Sequence, residues 1–142
     1  MLVDANVLIY AVDENARGHA AARAWLEQAL NGSRRTALPW QSLLAFVRIV
    51  THPRALPAPL SAGQAWSFVD DWLDAPAAWV PVAGRGYREI LARLVRDLDL
   101  RGNLVSDAAL AALAIEHGLA VVSADSDFAR FPELTWINPL AR

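Results

Sequence analysis

Short apolar runs along the chain alternate with longer segments in which apolar residues recur at helical spacing. The runs have the length of buried strands, and the longer segments have the pattern of amphipathic helices. Because helical segments separate the strands, we expect the strands to pair in parallel. The pattern therefore predicts one domain over residues 1–142. We expect a three-layer α/β/α fold whose middle layer is a parallel sheet of four to five strands. The predicted strands are residues 1–3, 36–38, 79–82, 120–123 and 134–137.

One predicted helix, residues 62–75, has a marked N-terminus and a clear apolar stripe. Ser61 and Gln64 have the spacing of a capping box, in which the hydroxyl and the amide each bind a free backbone N–H group. Trp66 and Trp72 fall on the apolar stripe of this helix. Both tryptophans are therefore predicted to be core residues.

A helix predicted over residues 40–51 is apolar nearly all round. Such a helix is expected to be buried on most sides. The remaining helices are predicted at residues 7–12, 18–30, 85–98 and 103–117.

The composition excludes several classes of functional site but does not identify the one that is present. The chain has no cysteine, which excludes disulfides, thiol nucleophiles and cysteine-bound zinc. All thirteen basic residues are arginine, so there is no lysine to bind phosphate as in a nucleotide-binding loop. The net charge of −2 does not indicate a protein that coats nucleic acid by bulk attraction. No segment resembles a signal peptide or a membrane span, so we expect a cytoplasmic protein without membrane contact.

Aspartates follow two of the predicted strands and begin one of the helices. Asp4 comes directly after the first strand, and Asp125 and Asp127 follow the fourth. Asp107 is the only charged residue in the apolar stretch 104–115 and is placed in the first turn of its predicted helix. Ligands bind beyond the carboxyl ends of the strands in open sheets of this type. If the first and fourth strands are neighbours, these acids converge there.

Each aspartate also has a purely structural explanation. Asp4 would bind the amides of the turn that follows it, and Asp107 would complement the dipole of its helix. Asp125 and Asp127 would cap a short helix that runs to Phe131. Taken singly, these explanations are the better ones. Three segments that bring carboxylates to one edge nevertheless favour a metal site, because close like charges repel unless a cation intervenes.

A cluster of carboxylate oxygens suits Mg²⁺ or Mn²⁺ and not zinc. Such an ion serves phosphodiester hydrolysis, because it lowers the pKa of a bound water and shields the charge that develops on the phosphate. Arg48 and Arg54 are candidates for contact with RNA phosphates. Exposed arginines are more often simply solvated, so this is the minority interpretation.

Three stretches of the chain resemble the motifs of the PIN-domain family, and most closely those of VapC-type toxin ribonucleases from type II toxin–antitoxin systems. They are residues 3–10 (VDANVLIY), 103–108 (NLVSDA) and 123–128 (SADSDF), in that order. The resemblance covers the whole chain. It implies a Mg²⁺- or Mn²⁺-dependent endoribonuclease that acts on RNA, forms a homodimer and is restrained by a cognate VapB-type antitoxin.

The resemblance also implies roles for individual residues. Asp4, Asp107 and Asp125 correspond to the metal ligands of the family, and Asp127 to an acid that supports the metal or its water. Asn6 and Ser123 correspond to polar residues that hold these acids in place. The four aspartates together would form the catalytic set.

One position departs from the family pattern. These nucleases usually carry a glutamate on the third helix, where this chain has Ala45. A catalytically weakened or inactive module that binds RNA or a partner is therefore an alternative. A phosphatase or phosphotransfer domain is a second alternative, which the missing lysine and the spacing of Asp4 and Asn6 disfavour.

Overall fold

A computed structural model describes residues 1–141, and within them strands and helices alternate in the predicted order. None of the helices in this range is long and apolar enough to cross a membrane. The elements are β1 Leu2–Val3, α1 Ala5–Val12, α2 His19–Leu30, β2 Thr36–Ala37, α3 Trp40–Val50, α4 Ala62–Leu73, β3 Ala78–Trp79, α5 Tyr87–Asp97, α6 Asn103–His117, β4 Val121–Val122, a 3₁₀ helix Ser126–Arg130 and β5 Trp136–Ile137.

The five strands form one parallel sheet in the order β3-β2-β1-β4-β5. β1 lies at the centre, where Leu2 is in register with Ala37 of β2 and with Val121 of β4. The first and fourth strands are therefore neighbours, as the convergence of the aspartates requires. Residues that follow β1 and β4 leave the sheet side by side.

Successive side chains of the central strands point alternately towards the two helical layers. Leu2 and Val121 belong to a core cluster formed with α5 and α6, whereas Val3 and Val122 belong to a cluster formed with α1, α2, α3 and α4. All four side chains are fully buried. Successive residues of a strand point to opposite faces, so a sheet covered on both faces needs this continuous apolar pattern. The predicted three-layer α/β/α fold is confirmed.

The helix ends follow from local sequence. At the start of α4, the Gln64 backbone N–H donates to the Ser61 hydroxyl oxygen at 3.1 Å, and the Ser61 backbone N–H donates to the Gln64 side-chain oxygen at 2.9 Å. This is the predicted capping box. α6 ends at Gly118, which has φ +68 and the left-handed conformation that glycine adopts without steric cost.

The third strand is shorter than predicted. β3 ends at Trp79, and Val82 is 67% exposed. Pro81 has no N–H group to donate to a neighbouring strand, which ends the pairing. The Val82 carbonyl lies 2.9 Å from the His117 ring nitrogen Nε2 at the end of α6.

One prediction about burial is wrong. Trp66 is not a core residue, because it is 41% exposed and stacks on Trp40 with the rings 6.3 Å apart. α3 is buried or half-buried on most sides, as predicted, but it is exposed along one face, where Trp40 is 43% and Leu44 is 53% exposed. Apolar spacing indicates which residues favour burial, but it does not tell how many neighbouring elements cover them.

Candidate active site

Asp4 lies at the end of β1, where its carboxylate is both a helix cap and part of a polar network. One oxygen, Oδ1, accepts the Ala5 N–H at 2.8 Å and so caps α1. The other, Oδ2, accepts the Ser123 hydroxyl at 2.7 Å and the Asn6 side-chain amide at 3.2 Å. The turn after β1 therefore fixes the position of this carboxylate.

Ser123, fully buried at the end of β4, connects the two strand ends. Its hydroxyl donates to Asp4 and accepts from the Asn6 amide and from the Asp125 N–H, both at 3.0 Å. The Asn6 side-chain oxygen accepts the Ala124 N–H at 3.1 Å. One donated and two accepted bonds use the full capacity of a hydroxyl. Asn6 and Ser123 thus both contact the Asp4 carboxylate, and Ser123 also contacts the Asp125 backbone.

Three carboxylates meet in front of this network. Asp107, Asp125 and Asp127 each offer an oxygen within 4.8 Å of the others. Asp125 also caps the 3₁₀ helix, because its Oδ1 accepts the Asp127 N–H at 2.9 Å. Asp4 is not one of these three, although its charge acts on Asp107 and the charge of Asp125 acts on it. The structure therefore gathers the four predicted acids as a group of three with Asp4 close by.

Asp107 does not lie in the first turn of α6, contrary to the prediction. The helix starts at Asn103, so Asp107 opens the second turn, and Gly102 caps the helix without a side-chain bond. The influence of the helix dipole fades beyond the first turn. Partial burial and the carboxylates of Asp125, Asp4 and Asp127 instead raise the pKa of Asp107 to about 6, although Arg130 opposes this shift.

Burial also raises the pKa of Asp4. The bonds from Ser123 and from the Ala5 N–H act in the opposite direction, and the charge of Asp125 adds to the effect of burial. Both shifts have the same physical origin, since each carboxylate loses water and faces another negative charge. A bound cation would relieve this repulsion.

Arg130 lies at this acidic edge, and the sequence pattern did not predict a functional role for it. Its Nη2 donates to Asp127 Oδ1 at 3.0 Å, and its Nε donates to the Asp127 carbonyl at 3.0 Å. The signal available in the sequence is the i,i+3 spacing of the two residues in the predicted short helix, which brings side chains together.

Arg48 and Arg54 lie elsewhere. α3 begins at the carboxyl edge of the sheet, after β2, and Arg48 is in its last turn. At 1.5 Å per residue, Arg48 is displaced from Trp40 by about 12 Å along the helix axis, away from that edge. Arg54 follows in the next loop. The structure does not bring these two arginines to the aspartates.

Ala45, at the position where the resemblance implies a glutamate, is half-buried on α3. It follows Gln41 by one helical turn, and the Gln41 side-chain amide donates to the Ser106 carbonyl at 3.0 Å. Residues four apart share one face of a helix. Ala45 therefore lies on the same face of α3 as Gln41, whose side chain bonds to the helix that carries Asp107.

The chemistry of the donors fits a hard divalent cation. Within the part of the chain that the structure describes, the cluster offers carboxylate oxygens and no sulfur or imidazole ligand. Mg²⁺ and Mn²⁺ favour such oxygen ligands. The raised pKa of Asp107 indicates repulsion that a cation would remove.

Comparison with known proteins identifies the family. The sequence profile of the PIN domain matches residues 1–134. Ribonuclease VapC37 of Mycobacterium tuberculosis is 44% identical over 140 residues, which are 99% of this chain and 97% of that protein. Ribonuclease VapC43 of the same species is 41% identical over 140 residues, covering 99% of this chain and 95% of that protein.

Solved structures share the fold at lower sequence identity. VapBC-1 from nontypeable Haemophilus influenzae superimposes with a TM-score of 0.72 at 12% identity, covering 99% of this chain and 98% of the other. VapBC2 from Rickettsia felis gives a TM-score of 0.66 at 19% identity, with 96% of both chains covered. With the family profile and these relatives spanning nearly its whole length, the chain belongs to the PIN domain family, in the group that contains the VapC ribonucleases.

Proposed function

We propose that this protein is the toxin of a toxin–antitoxin pair and acts as a metal-dependent endoribonuclease that hydrolyses RNA phosphodiester bonds. The observation that carries the proposal is the meeting of Asp107, Asp125 and Asp127 within 4.8 Å at the carboxyl edge of the sheet. Membership of the group of VapC ribonucleases supports the same activity.

In this proposal Asp107, Asp125 and Asp127 hold a Mg²⁺ or Mn²⁺ ion. Asp4, whose charge acts on Asp107, adds negative charge beside them. The ion would supply the Lewis acidity that activates water and neutralises charge on the phosphate. Asn6 and Ser123 keep the Asp4 carboxylate in one orientation, because its Oδ2 receives a hydrogen bond from each of them. Ser123 also orients the Asp125 backbone, which leaves the carboxylates arranged before the ion arrives.

The test is cleavage of a mixed RNA pool by purified protein with Mn²⁺, with Mg²⁺ and with EDTA, beside the Asp107→Asn variant. We expect cleavage that requires the divalent ion and is lost in the variant. A folded wild-type protein that binds RNA without cutting it would instead support the inactive binding module that Ala45 suggests. A folded Asp107→Asn protein that cuts like the wild type would contradict the assigned site.

A VapB-type antitoxin is the proposed partner. A groove of about 590 Å³ runs between α1, α2 and α4, with apolar side chains such as Leu26, Phe68 and Trp72 along it. Acidic groups including Glu14 and Asp71 border the groove, and its one arginine, Arg23, is paired with Glu27. An apolar floor with an acidic rim suits an amphipathic segment that carries basic residues. We propose this groove as the place where the antitoxin binds.

A homodimer is the proposed assembly. Trp40, Leu44 and Trp66 form an exposed apolar surface on α3 and α4, which we call the tryptophan patch. Exposed apolar patches of this kind are typical of contact surfaces between proteins. We propose that a second subunit covers it. A cytoplasmic location belongs to the same proposal, because the RNA substrate is there.

A further inference from the structure

Beside the three clustered carboxylates lies one positive charge, the guanidinium of Arg130. We propose that Arg130 binds the phosphate of the RNA at the cleavage site and is thus a further catalytic residue. The inference rests on the proposed nuclease function and adds a substrate contact to it.

The position of the guanidinium is fixed by two hydrogen bonds to a single residue. Nε donates to the Asp127 carbonyl and Nη2 donates to Asp127 Oδ1, both at 3.0 Å. The remaining nitrogen, Nη1, donates to no protein group within residues 1–141, and 38% of the side chain is exposed. The guanidinium is therefore held in place while part of its donor edge stays open to a ligand.

The charge balance of the site favours a cation that faces the substrate. Asp4, Asp107, Asp125 and Asp127 bring four carboxyl groups to the edge where an anionic phosphate must enter. The charge of Arg130 is felt at Asp107, where it lowers a pKa that the carboxylates raise. A divalent ion offsets only part of the negative charge. Arg130 is placed to attract the phosphate next to that ion.

The chemistry of the side chain suits this role. A guanidinium is always charged and presents a planar fork of donors that matches two phosphate oxygens. The chain contains no lysine that could take this place. The two arginines first considered, Arg48 and Arg54, lie away from the aspartates.

A role in folding stability alone accounts poorly for the position of Arg130. The Arg130–Asp127 pair joins residues three apart, and 38% and 46% of their side chains are exposed. Exposed ion pairs of this kind contribute little to folding stability. The pair could also position Asp127 for the metal, and this role predicts a different result in the experiment below.

The experiment compares Arg130→Ala and Arg130→Lys with the wild type in Mn²⁺-dependent cleavage of an RNA pool. Arg93→Ala is the matched control, because Arg93 also binds a carboxylate, that of Glu133 at 2.8 Å, and is similarly exposed at 44%. We expect kcat/KM to fall about 100-fold in Arg130→Ala, a typical loss for one charged contact to a transition state. Arg130→Lys should recover part of the activity, and Arg93→Ala should stay within about twofold of wild type.

Mn²⁺ affinity and the salt dependence of RNA binding separate substrate contact from metal positioning. Removing a positive charge next to the acids should leave Mn²⁺ affinity unchanged or higher in Arg130→Ala. In the Asp107→Asn background, the slope of log affinity for a single-stranded oligoribonucleotide against log salt should become shallower by about 0.7 when Arg130 is removed.

If Arg130→Ala loses cleavage and Mn²⁺ affinity in parallel, the inference is wrong, and Arg130 instead positions Asp127 for the metal. Unchanged cleavage together with an unchanged salt slope would also overturn it. If the wild type cuts no RNA, the proposed function fails, and the salt slope still decides whether Arg130 contacts phosphate. If neither the Asp107→Asn protein nor its Arg130→Ala derivative binds RNA, the proposed function and the role of Arg130 are both wrong.

Discussion

Two aspartates of this site, Asp4 and Asp125, serve the local fold and the acidic site at the same time. Asp4 caps α1 with one carboxylate oxygen and contacts the Ser123 network with the other. Asp125 caps the 3₁₀ helix while it contributes an oxygen to the group with Asp107 and Asp127. The structural explanations considered for the sequence are therefore correct for both residues. They do not compete with a metal site, since a carboxylate has two oxygens and several lone pairs.

Asp107 should make both stability and metal binding depend on pH. Its folded-state pKa of about 6 lies above the ordinary 3.8, so its contribution to metal-free stability is full below about pH 4 and is lost as pH rises through 6. In urea unfolding without metal, the free energy of unfolding of Asp107→Asn should therefore rise relative to that of the wild type between about pH 4 and 7. We expect a gain on the order of 1 kcal/mol, less than the full shift implies, because Asp107 is half exposed.

Mn²⁺ titrations of the same two proteins complete this test. Wild-type affinity should weaken as pH falls through 6, since protonated Asp107 no longer binds the ion. The variant should bind weakly at every pH. A stability difference that does not change with pH would contradict the assigned electrostatics.

Ser123→Ala should disturb the site more than its size suggests. The change leaves the buried Asp4 oxygen without its shortest bond and the Asp125 N–H without its partner. Leaving buried polar groups unpaired costs about 1–3 kcal/mol, and we expect a loss of unfolding free energy in that range with weaker Mn²⁺ binding. Ser67→Ala is the control, because the exposed Ser67 hydroxyl bonds to the Gly63 carbonyl of its own helix, α4. Equal effects of the two substitutions would count against the network.

Among the elements, α3 has three different surroundings. It buries Leu43, Phe46 and Val50 but exposes Trp40 and Leu44. Near its N-terminus, the Gln41 side chain donates to the Ser106 carbonyl of α6. One helix thus contributes to the core, to a contact with the helix that carries Asp107 and to the tryptophan patch.

Ala45→Glu should strengthen metal binding if α3 carries the family's missing acid position. A carboxylate at residue 45 would lie on the face of α3 that it shares with Gln41, whose side chain reaches the residue before Asp107. We expect at least a several-fold gain in Mn²⁺ affinity by calorimetry, together with faster cleavage. Ala45→Gln has nearly the same shape without the charge and should show no gain. Equal affinities for the two variants would mean that this side of α3 does not reach the ion.

At the scale of the whole molecule, the exposed tryptophan patch bears on assembly. The proposed homodimer predicts a particle of twice the 15.5 kDa chain mass. Leu44→Ser should dissociate it, because Leu44 is 53% exposed in the subunit and its replacement leaves the core intact. Sedimentation velocity measures the change, with the exposed Val82→Ser as the control. A monomeric wild type, or a dimer that tolerates Leu44→Ser, would contradict the proposed interface.

The amino-acid sequence by itself determined the order of the elements, the parallel sheet, the α4 capping box and the acids at the ends of β1 and β4. These features follow from local spacing and from the geometry of parallel crossovers. Only the tertiary structure decided that Asp107, Asp125 and Asp127 meet while Asp4 lies beside them. It also placed Arg130 at the acids and exposed Trp66. Such results depend on how distant segments pack, because the spacing within one segment does not record which other elements cover it.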